Sequence, residues 1–204
     1  MKIICIGWNY PSHNSEMQRE NLPKTPTVFL KPDSALRRNN QPFFIPDFSS
    51  EIDYETELVI RIERLGKNID EKFAHRYYTH IGLGIDFTAR DLQRQLKANG
   101  APWELSKAFD GAAAISDFLP IDTLKTPDNI PFKLFKNGIE VQNGSSAEMI
   151  FNFDRIVAYV SRFFTLKTGD LIYTGTPSGV GMVAIGDRLE GYIENQKMLT
   201  VNIR

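Results

Sequence analysis

Short runs of β-type residues recur along this chain while only one segment carries a long helical stripe, and that imbalance constrains the fold more than any other feature. Val28 to Leu30, Phe43 to Ile45, Glu57 to Ile62, Ile81 to Asp86, Leu171 to Tyr173, Arg188 to Ile193 and Met198 to Ile203 all read as strands. Lys136-Asn137-Gly138-Ile139 reads as a hairpin turn, because Asn-Gly supplies the positive φ angles of a type I′ connection. The one clear helix spans about Asp154 to Phe164, where Ile156, Val157, Val160, Phe163 and Phe164 repeat at helical spacing and predict core packing. The chain has 204 residues, 42% of them hydrophobic, enough for one substantial core, and no repeat, low-complexity tract or Ser/Gly linker divides it. The expected fold class is α+β, a β-rich single domain over residues 1–204.

Three carboxylates on those strands carry the first chemical signal. Residues i and i+2 of a strand share a face, roughly 6.5 to 7 Å apart, so Glu55 and Glu57 can converge on one ion. Asp86 closes the run Ile81-Gly82-Leu83-Gly84-Ile85 and is placed to complete the set. Three oxygen donors without Cys or His suit Mg²⁺, Mn²⁺ or Ca²⁺ rather than Zn²⁺. Alternating acids are also what the wet face of an amphipathic strand looks like, so the pattern alone leaves that reading open. After Asp86, Thr88 and Asp91 fit a capping box, Gly100 fits a C-terminal stop, and Arg90 and Gln93 fall three apart on one helical face. Further on, Leu171-Ile172-Tyr173 runs into the glycine-rich loop Thr174-Gly175-Thr176-Pro177-Ser178-Gly179, whose amides can approach an anion closely.

Charge and cysteine usage narrow the function class. With 24 basic and 25 acidic residues the formal net charge is −1, so neither nucleic acid nor an anionic membrane is indicated as a partner. The lone Cys5 sits in an apolar run and reads as an inert buried thiol, and one cysteine excludes an internal disulfide. No stretch approaches the roughly 20 apolar residues of a membrane span, and a cytoplasmic, small-molecule enzyme is expected.

Taken in order, Gly7-Trp8-Asn9-Tyr10 with His13 and Glu16, Phe29-Leu30-Lys31-Pro32, Glu55-Thr56-Glu57, Asp86-Phe87-Thr88-Ala89-Arg90-Asp91, Lys107 and Thr174-Gly175-Thr176-Pro177 resemble the fumarylacetoacetate hydrolase family, in particular its short acylpyruvate hydrolase branch. The resemblance implies a rolled mixed β-structure like the fumarylacetoacetase C-terminal domain, usually a homodimer, with Glu55, Glu57 and Asp86 holding the metal. It implies that His13 and Glu16 activate water, that residues 1–20 include a lid over the site, and that a 3-acylpyruvate or related 2,4-diketo acid is cleaved at a carbon-carbon bond. Spacing alone reads Pro11 to Glu16 as a solvated loop. Arg90 or Lys107 would meet the anionic substrate, and Arg suits bidentate carboxylate binding. Lys107 could also steady an oxyanion or donate a proton, Gln93 would orient water or substrate, and Thr176 with the Gly175 loop would hold the substrate carboxylate. His75 and His80 match no station and read as surface or structural residues.

One departure bears on specificity. Many relatives carry Gly-Arg-Asn-Tyr where this chain has Gly7-Trp8-Asn9-Tyr10, so a cation is missing there. The sequence leaves hydrolase, oxaloacetate decarboxylase and isomerase or hydratase of unsaturated 2-oxo acids open. A non-catalytic 2-oxo acid binding protein is the reading of another class, and it gives no reason for His13 and Glu16.

Overall fold

The apolar runs pair into three sheets. The computed structural model describes residues 1–19, 21–38 and 40–204, so Glu20, the last residue of the expected lid, lies outside the described residues. Its strands are β1 Ile3–Gly7, β2 Thr27–Lys31, β3 Leu36–Arg37, β4 Ile52–Tyr54, β5 Thr56–Arg61, β6 His80–Asp86, β7 Thr88–Ala89, β8 Ala113–Ile115, β9 Leu119–Pro120, β10 Pro131–Lys136, β11 Ile139–Ser145, β12 Leu171–Tyr173, β13 Gly181–Met182, β14 Arg188–Ile193 and β15 Gln196–Asn202. The α-helices are α1 Pro11–Glu16, α2 Arg90–Ala98, α3 Glu104–Lys107 and α4 Phe153–Ser161.

The largest sheet has the order β2-β1-β12-β5-β6-β8-β3, with β9 paired to β6. β1–β12 and β3–β8 are parallel and the remaining pairs antiparallel, which makes the sheet mixed. A four-stranded sheet, β11-β10-β14-β15, and a three-stranded one, β13-β4-β7, complete an α+β fold with few helices, curled into a half-barrel. Central strands bury both faces. Ile4, Ile6, Leu58 and Ile60 pack with α4, whereas the alternate residues Ile3, Cys5, Val59 and Tyr173 form a second cluster on the opposite face. Burial on both sides explains why these runs are continuously apolar. By the same alternation Glu57, Gly84 and Asp86 share the face of Val59. A Cβ on Gly84 would lie 2.4 Å from Tyr173 Cε1, so glycine there lets Tyr173 cross the strand and donate its hydroxyl to Ala114 O at 2.7 Å.

Local signals held where the interaction is local. Asn137 and Gly138 take φ of 54° and 83°, with Lys136 paired to Ile139. Gly100, at φ 63°, ends α2 in a Schellman motif: its N–H donates to Lys97 O and that of Ala101 to Leu96 O. Four expectations need correction. Phe43 to Ile45 forms an isolated parallel bridge from Phe43 to Ile203 rather than a full strand: the pairing is limited to three backbone hydrogen bonds, Phe43 N–H to Asn202 O, Arg204 N–H to Phe43 O and Ile45 N–H to Arg204 O. Thr88 builds no capping box: α2 starts at Arg90 behind Ala89, and the Thr88 hydroxyl turns to Lys107 instead. α4 begins at Phe153, capped by Asn152, and stops at Ser161, so Ile156, Val157 and Val160 are buried but Phe163 lies beyond the last turn, exposed. Glu55 falls between β4 and β5, where the chain passes from the small sheet to the large one, rather than within a strand. Among the described residues no helix is long and apolar enough to cross a membrane.

Asn9, just past β1, ties three segments together. Its Nδ2 donates to Phe151 O (3.0 Å) and Thr174 O (2.8 Å), and its Oδ1 accepts from Phe151 N–H (2.8 Å). Asn9→Ala strands three buried polar groups, each costing roughly 1–3 kcal/mol, and is expected to lower unfolding free energy by about 3 kcal/mol or more. Denaturant unfolding measures this, and an unchanged midpoint would show that the segments hold together without the amide.

Candidate active site

β5 and β6 run antiparallel with Thr56 opposite Ile85 and Glu57 opposite Gly84, and Asp86 N–H donates to Glu55 O at 2.8 Å. This register brings the beginning of β5 beside the end of β6. One carboxylate oxygen from each of Glu55, Glu57 and Asp86 then lies within 4.8 Å of the others, all three side chains buried. The wet-face reading of these acids is thereby excluded.

Buried charge of this density needs compensation. Lys107, at the end of α3, donates to Glu55 Oε2 (2.7 Å), Asp86 Oδ2 (2.9 Å) and Thr88 Oγ1 (2.6 Å). Lys31, on edge strand β2, reaches Asp86 Oδ1 at 2.7 Å and donates to Lys107 O. Arg90, opening α2, donates from Nε to Asp53 Oδ2 (2.7 Å), from Nη2 to Glu55 Oε1 (2.6 Å) and from Nη1 to Gln93 Oε1 (2.8 Å). Both cations expected to meet substrate are thus engaged with the site's own acids. Although burial raises Glu55, the charges of Lys107 and Arg90 outweigh it and hold the carboxyl well below its usual range. Glu57 goes the other way: burial, then the negative charges of Asp86 and Glu55, push it well above the carboxylate range, and the Gly175 amide offsets this only in part.

The donor set fits a hard divalent cation. The Lys107 ammonium already stands between Glu55 and Asp86 as a cation would, and Glu57 remains short of positive charge. The three converging side chains offer oxygen donors, which suits Mg²⁺, Mn²⁺ or Ca²⁺.

His13 and Glu16 do form a pair on a short helix, α1, which starts with Pro11 at its first position. His13 Nδ1 lies 3.3 Å from Glu16 Oε2, while Glu16 Oε1 accepts from Gly179 N–H at 2.9 Å. Gly179 has φ 96°, and a Cβ there would sit 2.0 Å from Val141 O, so only glycine lets the loop hold Glu16 this way. Burial lowers the His13 pKa below that of an ordinary imidazole, against the opposing charges of Glu55 and Glu16. The ring is therefore neutral near pH 7, with Nδ1 engaged and Nε2 available.

A narrow cavity of about 30 Å³ opens on the three acids and on His13, Arg90, Gln93, Lys107 and Thr176. Gly175 and Glu16 stand behind it. Gly175 N–H donates to Glu57 Oε2 at 2.7 Å and so fixes one of the three convergent carboxylates, and the Thr176 hydroxyl donates to Thr56 O (2.8 Å) and accepts from Gln142 (2.9 Å). Lys31, Lys97 and Trp103 went without a role in the sequence reading; Lys97 and Trp103 line the cavity too. Spacing pointed to two of them, since Lys97 follows Gln93 and Trp103 precedes Lys107 by four residues, about one helical turn. His75 is exposed and His80 pairs with Glu63 at 2.6 Å, beside a separate cavity of about 850 Å³ that holds none of the three acids. Cys5 is buried, as expected, with its thiol pKa raised by burial.

Similarity to known proteins extends over the length of the chain. The family model described as fumarylacetoacetate (FAA) hydrolase C-terminal matches residues 2–204. An oxaloacetate tautomerase of Escherichia coli (strain K12) is 36% identical over 200 residues, 98% of this chain and 91% of that protein. A mitochondrial oxaloacetate decarboxylase of Dictyostelium discoideum is 41% identical over 186 residues, 91% of this chain and 85% of that protein. The crystal structure of a fumarylpyruvate hydrolase from Pseudomonas aeruginosa, in complex with Mn²⁺ and pyruvate, superposes with a TM-score of 0.94 at 33% identity, covering 100% of this chain and 89% of that one. End-to-end agreement in sequence and in fold makes the conclusion plain: this chain belongs to the fumarylacetoacetate hydrolase family.

Proposed function

We propose that the chain is a metal-dependent enzyme that acts on a 2-oxo acid through its enolate, and that its reaction is the keto–enol tautomerisation of oxaloacetate. The observation that carries this reading is a neutral, buried His13 over a cavity whose floor is three convergent carboxylates. The tautomerase and decarboxylase relatives and the Mn²⁺ and pyruvate held by the fumarylpyruvate hydrolase support it. Glu55, Glu57 and Asp86 would hold Mg²⁺ or Mn²⁺, which supplies a Lewis acid for the 2-oxo oxygen.

The rest follows from the chain's own side chains. His13 Nε2 takes a proton from C3, and Glu16, bound to Nδ1, fixes the tautomer and stabilises the imidazolium that forms. The proton returns to the 2-oxo oxygen to give the enol, so atoms balance without a co-reactant. Lys107 holds Glu55 and Asp86 in place and balances their charge: burial alone would lower its pKa, but Asp86 and Glu55 more than offset that and keep it charged. Gln93, its carbonyl held by Arg90, presents its NH₂ group to the substrate. Thr176 marks the position for the substrate carboxylate. A second reading, hydrolysis of a 2,4-diketo acid, is favoured by the His13–Glu16 pair, which suits activation of water. The proposal extends to a cytoplasmic homodimer with a small 2-oxo acid as its ligand; the near-neutral net charge supports the part of it that leaves out nucleic acid and anionic membranes.

Metal-stripped protein should convert oxaloacetate enol no faster than buffer does, and added Mg²⁺ or Mn²⁺ should raise the rate well above that of the metal ion alone, followed by ultraviolet absorbance. Metal-dependent pyruvate release from acetylpyruvate with no effect on oxaloacetate would move the assignment to hydrolase. Conversion that ignores the metal would remove the enolate reading.

A further inference from the structure

Every cation deep in the site is spoken for. Lys31, Arg90 and Lys107 each pair with Asp53, Glu55 or Asp86. One cation of the same cavity is not. Lys97 meets no carboxylate among the described residues, and its ammonium lies against indole faces instead, 4.7 Å from the ring centroid of Trp8 and 5.2 Å from that of Trp103. These are the only two tryptophans in the chain.

The backbone sets up this arrangement. Arg90, Gln93 and Lys97 fall at i, i+3 and i+7 of α2, one stripe that runs from the buried acids to the rim, with roughly 6 Å of helix rise between Gln93 and Lys97. Trp103 precedes α3 by one residue and places its ring at the rim while Lys107 reaches the floor. Trp8 takes φ 64°, a conformation rare for a bulky residue, and its ring also stacks at 5.7 Å on His13. Arg19 adds a second positive charge 4.8 Å from the Trp8 ring. Burial against the rings, with Arg90 and Lys107 nearby, lowers the Lys97 pKa to about 8. An anion at that position would relieve the crowding of positive charge.

Charge balance asks for such an anion. Asp53, Glu55, Glu57 and Asp86 face three committed cations, so a divalent ion leaves the site one positive charge in surplus. A monocarboxylate cancels that surplus. A dicarboxylate brings one negative charge more, and Lys97 is the cavity cation left to meet it.

We infer that Lys97, framed by Trp8 and Trp103, is the specificity-determining residue of this site and receives the distal carboxylate of a 2-oxo dicarboxylate. The inference rests on the 2-oxo acid reading above and adds to it the group that selects oxaloacetate over acids lacking a second carboxylate. A lysine that merely snorkels along indoles would make no such selection.

Pyruvate and oxaloacetate differ by that one carboxylate. Their binding to the Mn²⁺-loaded protein is read by stopped-flow tryptophan fluorescence, since both reporters flank Lys97. Lys97→Met should weaken oxaloacetate roughly tenfold or more while leaving pyruvate unchanged, and Lys97→Arg should restore most of the loss. Because the ammonium is partly exposed, the difference should shrink at high salt. Wild-type protein that binds both ligands, with Lys97→Met weakening neither or both alike, would overturn the subsite and leave the 2-oxo acid reading standing. Wild-type protein that binds neither would overturn that reading and the subsite with it.

Discussion

Asp86→Asn is expected to abolish metal-dependent turnover, a loss on the order of 10³-fold or more in kcat/KM, since a Lewis acid contributes several kcal/mol to such a transition state. The substitution keeps the side chain's shape and removes its charge. Asp86 also neutralises both Lys31 and Lys107, each buried. Stability should therefore fall as well, by up to about 3–5 kcal/mol, the usual cost of leaving a buried cation without its partner. Measuring Mn²⁺ affinity by calorimetry beside thermal unfolding separates the two effects: a folded variant that binds Mn²⁺ only weakly supports the assignment. Undiminished Mn²⁺ affinity and turnover in Asp86→Asn would remove Asp86 from the metal site.

His13→Ala should do the opposite to binding and much the same to turnover. Metal affinity is expected to persist, because His13 sits on α1 rather than among the converging carboxylates. Turnover should drop by roughly 10² to 10⁴-fold, the range for a positioned general base. The pH profile gives a second readout. A base must be neutral to act, and burial lowers the His13 pKa from the ordinary imidazole value of about 6.5. Wild-type kcat/KM should stay flat as pH falls past that value and decline only in more acidic solution, as the ring takes up its proton. His13→Ala should lose that acidic limb together with the rate. An identical limb in the variant would assign it to another group.

These expectations draw on two kinds of information. The acids were legible because their geometry is local: alternation on β5 puts Glu57 on the face of Val59, and pairing with β6 needs only the apolar run that Asp86 closes. The Asn137-Gly138 turn and the Gly100 stop were legible for the same reason, since each depends on a backbone angle that glycine or asparagine adopts readily. Thr88 misled because a capping box competes with whatever else a hydroxyl can reach, and Lys107, 19 residues away, won. Phe43 to Ile45 misled because side chains alone do not tell how much partner backbone a run meets, and this one meets only residues 202–204.

By itself, then, the sequence determined a β-rich fold, two acids two residues apart and a histidine one helical turn from a glutamate, all consequences of spacings within a few residues; the pairing of β5 with β6 brings in Asp86. Which cation balances which acid was decided only by tertiary structure. Lys31 reaches Asp86 and the carbonyl of Lys107, 76 residues on from itself, because the curled sheet brings edge strand β2 round to α3. Arg90 turns inward to Asp53 and Glu55, and Lys97 is left between two indoles. A long flexible side chain takes the partner that folding puts within a few ångströms, and spacing along the chain does not encode distances set by strands that pair across the sheet.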